Sequence, residues 1–314
     1  MTPRPLRAAP RTLVTRVGPL MPAVVERLRA EHDAVALEDL PDDTSSVEVA
    51  VTSARGGLHA REMDRLPGLR AIVHFGVCYD STDVAEASRR GIALSNTPDV
   101  LTDCVADTAV GLVIDVLRGR SAADRFVRRG DWAAGATFPL SRRVSGARVG
   151  ILGLGRIGLA VAHRLAAFDA RLSYHARSPK DVPWPYVATP VELAAGCDVL
   201  VVAAAGGPAS VGLVDAAVLD ALGRDGVLVN VARGSVVNEG ALVAALEGGA
   251  IAGAGLDVFA DEPRVPQALL GRDDVVLLPH LASGTVETRA AMADLVLANV
   301  ATFLETGRLL TPVA

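Results

Sequence analysis

The stretch Arg148-Val-Gly-Ile-Leu-Gly153-Leu-Gly155-Arg-Ile-Gly158 decides the fold.

 In it Leu152 runs directly into Gly153, so a short apolar run of strand character ends on three glycines in G-x-G-x-x-G spacing. Beyond them Ile157, Val161, Leu165 and Phe168 recur at helical spacing. Strand, glycine turn and amphipathic helix together open a βαβ unit. In such a unit the first glycine makes the tight turn, the second lets backbone approach a pyrophosphate, and the third lets helix pack on strand. Backbone N–H groups at the helix start then hold the anion. The turn predicts a dinucleotide site at Gly153, Gly155, Arg156, Ile157 and Gly158.

Working outward, the chain alternates short apolar runs with helical patterns on both sides of this turn. Downstream, strands are predicted at 148–152, 172–175, 199–203, 227–231, 253–258 and 275–278, each short and apolar as buried parallel strands are. Upstream, strands are predicted at 12–16, 47–52, 71–75 and 92–96, with a helix at 22–30, until Pro98 breaks the pattern. A helix over 101–118, with Val105, Ala109, Leu112, Val113 and Val116 on one face, is long enough to bridge two domains. The segment 286–304 carries Met292, Leu295, Val296, Val300 and Phe303 on one face and is expected to pack back on the first domain.

Composition bounds what such a chain does. Its 314 residues exceed what one core usually encloses, so two domains are expected. A net charge of -5 supplies no basic field, so nucleic acid is not expected as a partner. The longest apolar stretch, 199–214, is interrupted by Gly206, Gly207, Pro208 and Ser210 and falls short of the roughly 20 residues that span a bilayer, so no membrane partner is expected either. Several arginines precede the first acidic residue, Glu26, as in a transit peptide, although 12–16 reads equally well as a strand. Cys78, Cys104 and Cys197 form no CxxC pair, which supports neither a disulfide framework nor a metal site and fits a reducing cytoplasm.

The second strand of the glycine-turn domain tells which dinucleotide to expect. An NAD site usually places an acid there, about 20 residues after the turn, to hold the ribose 2′-hydroxyl. Here the strand ends Leu172-Ser-Tyr-His-Ala-Arg177-Ser178-Pro-Lys180 without one, and Asp169 precedes the strand. Arg177, Ser178 and Lys180, the only lysine, can surround a 2′-phosphate instead. NADP(H) is therefore the preferred cofactor, with NAD(H) still possible, and a merely solvated basic loop is the alternative.

Three later segments each follow a predicted strand of the same sheet and carry one chemically capable residue. They are Asn230-Val-Ala-Arg233-Gly-Ser, Gly255-Leu-Asp257-Val-Phe-Ala-Asp-Glu262-Pro and Leu278-Pro-His280-Leu-Ala-Ser-Gly284. Carboxyl ends of parallel strands are where open α/β sheets bind ligands, so an arginine, a carboxylate and a histidine are expected to converge there. Asp261 is a rival to Glu262 as the carboxylate.

With the glycine turn, with Gly91-Ile-Ala-Leu-Ser-Asn-Thr-Pro98 and with the closing Leu310-Thr-Pro-Val313, these segments make nearly the whole chain resemble the D-isomer-specific 2-hydroxyacid dehydrogenases. Its basic loop and Gly206-Gly207-Pro208 look most like the NADP-preferring glyoxylate and hydroxypyruvate reductases or the related 2-ketogluconate reductases. The resemblance implies an α/β homodimer with two doubly wound parallel-sheet domains. One is a Rossmann cofactor domain at 99–284, the other a discontinuous flavodoxin-like substrate domain at 1–98 and 285–314. It further implies Arg233, Glu262 and His280 as catalytic residues in the cleft between domains, and Asp257 on the nicotinamide side of a cofactor set that also takes in Thr108 and Val231. The amides of Val77 and Cys78 would receive the substrate carboxylate.

Two places depart from the family pattern. Cys78 stands where glycine is common, and its side chain is expected to narrow the pocket. Ala203-Ala-Ala-Gly-Gly-Pro208 replaces a proline-rich loop beside the adenosine and is expected to alter loop shape more than chemistry. Trp132 and Phe138 are expected in a core or an interface more than at substrate.

The chemistry gives each residue type its reason. Reduction of a 2-oxo acid puts negative charge on the carbonyl oxygen, so a proton donor must stand beside it. A histidine titrates near neutrality, and a neighbouring carboxylate favours its protonated form. A planar arginine fork grips a carboxylate and polarises a carbonyl. The expected function is NADPH-dependent reduction of a small 2-oxo acid to the D-2-hydroxy acid. Alternatives are an NAD-linked dehydrogenase acting oxidatively on a phosphoglycerate or lactate type of substrate, and a non-catalytic nucleotide-sensing, corepressor-like protein.

Overall fold

The computed structural model describes residues 13–313. Thr12, at the start of the first predicted strand, and Arg4, Arg7 and Arg11 of the segment read as a possible transit peptide lie outside them. Contacts divide the chain into two compact units, one running to Val100 and resuming at Val286, the other running from Leu101 to Thr285.

The first unit is built from β1 (Val14–Arg16), α1 (Pro22–His32), β2 (Val35–Ala36), β3 (Val49–Ser53), α2 (Ala60–Asp64), β4 (Ala71–Phe75), α3 (Val84–Arg89) and β5 (Ala93–Ser95). Its sheet is parallel throughout, in the order β2-β1-β3-β4-β5. That is the flavodoxin order, in which the chain reverses its direction of travel between β1 and β3. Every residue of β3 and β4 is buried, which is why both are mostly apolar and do not alternate, with Thr52, Ser53 and His74 as the buried polar members. At two residues, β2 is too short to leave a periodic signal, and the sequence reading passes over it.

The second unit contains α4 (Thr102–Arg118), α5 (Arg120–Arg128), β6 (Arg148–Leu152), α6 (Arg156–Ala166), β7 (Arg171–His175), α7 (Pro190–Ala195), β8 (Val199–Val202), α8 (Ala216–Leu222), β9 (Val227–Asn230), α9 (Glu239–Glu247), β10 (Gly253–Leu256), α10 (Gln267–Leu270) and β11 (Val275–Leu277). The parallel order is β11-β10-β9-β8-β6-β7. A single parallel bridge, Tyr174 to Tyr186, lies beside β7 where the Rossmann order has one more strand. Pro183 and Pro185 both precede Tyr186, and proline has no N–H to extend a ladder on that side. Leu152, Leu193, Leu200, Leu219, Leu228, Leu242 and Leu256 fill the core, and α4 packs on α6, β9 and β10.

The closing helix α11 (Val286–Thr306) belongs to the first unit, where it packs on α1 and β4. Arg27 pairs with Asp294, and the Arg70 guanidinium lies 5.4 Å from the centre of the Phe303 ring. Fully buried Asn299 accepts the N–H groups of Leu310 and Thr311 at 3.0 and 3.1 Å, and Thr311 Oγ1 donates to the Asn96 carbonyl at 2.6 Å. The Leu310-Thr-Pro-Val ending is thus bonded to the end of β5. Among the described residues no helix is long and apolar enough to cross a membrane.

Candidate active site

The glycine turn lies between β6 and α6; backbone contacts require glycine at Gly153 and Gly158, whereas Gly155 leaves open space. Gly153 has φ 99°, and a Cβ there would stand 2.5 Å from the Ala204 backbone. A Cβ on Gly158 would stand 2.0 Å from the Gly153 carbonyl oxygen, so helix and turn touch. A Cβ on Gly155 would meet nothing within 4 Å. The backbone at the start of α6, where Arg156, Ile157 and Gly158 present their amides, is therefore open on that side. Amides at a helix start with open space before them fit a pyrophosphate.

The Gly153 N–H donates to the His175 carbonyl at 2.9 Å, which ties the turn to the end of β7. No carboxylate follows there. Arg177, Ser178 and Lys180 are exposed, and neither Arg177 nor Lys180 has an ion-pair partner among the described residues. Asp169 precedes β7, at the opposite end of the strand. The donor set suits a 2′-phosphate and offers no acid to a 2′-hydroxyl. Thr108, on α4, donates its hydroxyl to the Cys104 carbonyl at 3.0 Å, and buried Val231 directly follows β9.

Arg233, Glu262 and His280 come from three loops that follow β9, β10 and β11. Asn230 organises the first. It is buried, accepts the Ala232 N–H at 3.0 Å through Oδ1, and donates through Nδ2 to the Arg233 carbonyl at 3.0 Å. The sequence reading gives Asn230 no role, although a polar residue closing the apolar run Val-Leu-Val is a signal that it bonds locally. At Gly234 a Cβ would fall 1.9 Å from the carbonyl carbon and oxygen of Phe259, so the Arg233 turn lies directly against the loop that carries Glu262.

In that second loop the Phe259 N–H donates to Glu262 Oε1 at 3.0 Å, while Glu262 Oε2 meets His280 Nδ1 at 2.7 Å. Asp261 turns away to an exposed pair with Arg264 at 2.7 Å, so Glu262 is the carboxylate that reaches the histidine. His280 has φ 54°, an uncommon conformation for a residue with a side chain. Asp257 holds it there. Its carbonyl accepts the His280 N–H at 2.8 Å, and its buried carboxylate accepts the N–H groups of Leu281 and Ala282 at 2.8 and 3.0 Å.

The charges follow from these contacts. Burial pushes the Glu262 carboxyl up, but the hydrogen bonds from His280 and Phe259 and the nearby charges of His280 and Arg233 outweigh it and hold the carboxyl below its usual range. Burial raises the Asp257 carboxyl, and its two amide donors offset only part of that. The side chains of His280 and Glu262 are about one-third exposed, at 36% and 34%. With Nδ1 engaged by Glu262, Nε2 is the imidazole atom left for a ligand.

Val77 and Cys78 belong to the other unit, in the loop after β4. The Val77 carbonyl accepts Asn96 Nδ2 at 2.7 Å, and the Gly76 carbonyl accepts the Thr97 N–H at 3.0 Å. Cys78 is half-buried and outside any disulfide. Trp132 is 69% exposed, which removes it from the core of its own unit, whereas Phe138 packs edge-on against Phe126 with ring centres 5.4 Å apart.

The chain resembles known proteins along nearly its whole length. Residues 110–282 match the family model described as D-isomer specific 2-hydroxyacid dehydrogenase, NAD binding domain. The chain is 47% identical over 285 residues to hydroxyphenylpyruvate reductase of Plectranthus scutellarioides, covering 90% of this chain and 89% of that one. It is 43% identical over 307 residues to 2-ketogluconate reductase of Gluconobacter oxydans, covering 96% and 98%. The solved structure of the NADPH-dependent glyoxylate/hydroxypyruvate reductase of Sinorhizobium meliloti in complex with NADP and malonate matches with a TM-score of 0.91 at 46% identity, covering 97% of both chains. Similarity at this level, running through both units, means that the chain belongs to the D-isomer specific 2-hydroxyacid dehydrogenase family.

Proposed function

We propose that the protein reduces a small 2-oxo acid, of the glyoxylate, hydroxypyruvate or 2-ketogluconate type, to its D-2-hydroxy acid with NADPH. The observation that carries this reading is the 2.7 Å contact between His280 Nδ1 and Glu262 Oε2, in a loop packed against the Arg233 turn. The names of the relatives support the same reaction class.

The unit from Leu101 to Thr285 would serve as the cofactor domain. Gly153, Gly155, Arg156, Ile157 and Gly158 would hold the pyrophosphate, and Arg177 and Ser178, with Lys180, the 2′-phosphate. Thr108, Val231 and Asp257 would complete the set. When bound, the reduced nicotinamide supplies the hydride that C2 of the substrate receives. Arg233 grips the substrate carboxylate and draws electron density toward the carbonyl oxygen. His280 gives that oxygen a proton from Nε2, and Glu262, ionised at neutral pH, fixes the ring and stabilises its charged form. The amides of Val77 and Cys78, in the other unit, would receive the substrate carboxylate.

We also read the protein as a cytoplasmic homodimer. Free Cys78, Cys104 and Cys197 favour a reducing compartment, and exposed Val127, Trp132 and Leu140 on the second unit favour a partner surface. The test is a panel of glyoxylate, hydroxypyruvate, pyruvate, phenylpyruvate and 2-ketogluconate, each assayed with NADPH and with NADH. A higher kcat/KM with NADPH on at least one acid is expected. Failure to turn over any of them overturns the assignment.

A further inference from the structure

We infer that Glu239 is a positioning residue for the Glu262–His280 pair, an inference that rests on the reading of that pair as the proton-delivery machinery. Glu239 is the first residue of α9, and Asn238 caps the helix by accepting the Ala241 N–H at 3.0 Å. An acidic side chain at this place ordinarily serves the helix dipole. Here Glu239 Oε2 leaves its own helix and accepts the N–H of Ala260, 21 positions along the chain, at 3.0 Å. No cation pairs with Glu239 among the described residues, so the amide of Ala260 is what its carboxylate holds.

That amide sits at a critical point of the loop. The preceding N–H, of Phe259, is held by Glu262 Oε1 at 3.0 Å, and Glu262 Oε2 reaches His280 at 2.7 Å. Two successive amides are therefore fixed by two different carboxylates. The one from Glu262 closes the loop on itself, and the one from Glu239 anchors the loop to α9. Gly234 presses on the same Phe259–Ala260 peptide, where a Cβ would stand 1.9 Å from the Phe259 carbonyl and 2.4 Å from the Ala260 nitrogen.

The peptide that aims Glu262 is thus clamped between the Arg233 turn and the start of α9. Contact with Gly234 blocks movement toward the Arg233 turn, and the hydrogen bond to Glu239 ties the Ala260 side of the peptide to α9. Removing the Glu239 carboxylate leaves the contact but frees the peptide to drift from it, carrying Glu262 off the histidine. A misplacement of about 1 Å is enough to cost a reaction up to about 100-fold.

The experiment uses the full-length protein and the substrate identified in the panel, with E239A, E239Q and E239D made in the wild-type and E262Q backgrounds. E239A is expected to lower kcat by about 10-fold or more while leaving KM for NADPH within about two-fold. E239Q keeps an oxygen acceptor at the same reach and is expected to regain most of the loss. E239D keeps the charge at the helix start but is one methylene short, so it is expected to behave like E239A. In the E262Q background the E239A change is expected to cost less than about two-fold, since residues acting through one another do not add.

Equal losses from E239A in both backgrounds overturn the inference, as does full kcat in E239D. Should E239A fail to fold, the contrast between E239Q and E239D decides the matter alone. An E262Q enzyme with wild-type kcat overturns the reading of the pair itself, and the inference with it. Wild-type kcat in E239A beside a crippled E262Q overturns only the role of Glu239.

Discussion

Asp257 and His280 are joined through the backbone, the Asp257 carbonyl accepting the His280 N–H at 2.8 Å, while the Asp257 carboxylate takes the next two amides, of Leu281 and Ala282. Three bonds from one residue therefore hold the left-handed turn that points the imidazole at Glu262. A histidine in that conformation costs about 1 kcal/mol or more and persists only where its surroundings impose it. The imidazole is set by its neighbours' backbone as much as by its own side-chain contacts.

Replacing the imidazole tests its chemistry directly. His280→Ala is expected to lower kcat by about 10²–10⁴-fold, the usual contribution of a positioned general acid. Affinity for NADPH, followed by fluorescence titration, is expected to stay near the wild-type value. Unchanged kcat removes His280 from its role.

The 2′-phosphate site proposed in the basic loop after β7 is tested at Arg177. Arg177 is exposed and has no ion pair among the described residues, so Arg177→Ala is expected to leave stability unchanged. Its loss removes hydrogen bonds from a charged group, each worth about 1.5–3 kcal/mol, and is expected to lower kcat/KM for NADPH by about 10- to 100-fold. The NADH value should hardly move, and a parallel fall with both cofactors argues against 2′-phosphate recognition by this loop.

Gly234 meets backbone where a side chain would go. Gly234→Ala must push the Phe259–Ala260 peptide aside, an overpacking expected to cost about 1–3 kcal/mol. Calorimetry is expected to give a lower Tm, and assays a lower kcat, because Arg233 and Glu262 are displaced together. A wild-type Tm and kcat would mean that the two loops separate easily.

Acid stability is expected to depend on Glu86 in the first unit. Hydrogen bonds from Arg89 and then Arg90 pull its carboxyl from 4.5 down to about 2. A carboxyl depressed by folding stabilises the native state above its unfolded pKa, and that contribution is lost as pH falls from about 4.5 to about 2. Urea unfolding across this window is expected to show a shallower loss of stability in Glu86→Gln than in the wild type. Parallel curves would mean that solvent screens the Arg89 and Arg90 contacts completely.

What sequence alone determined were the features written in neighbouring residues. The strands predicted at 71–75 and 148–152 coincide with β4 and β6, because a strand buried on both faces must be apolar at nearly every position. The glycine turn was legible for a similar reason, since its three glycines fall within one short segment between strand and helix, and the missing acid after β7 pointed to the phosphate-bearing cofactor. Tertiary structure decided what depends on residues far apart in the chain. It chose Glu262 over Asp261 by turning one toward His280 and the other toward Arg264, and it joined Glu239 to Ala260 across 21 positions. It also gave Asn299 the amides of Leu310 and Thr311. No periodicity marks such pairs, because whether two distant groups lie 3 Å apart is set by the path of the loops between them and by what those loops pack against.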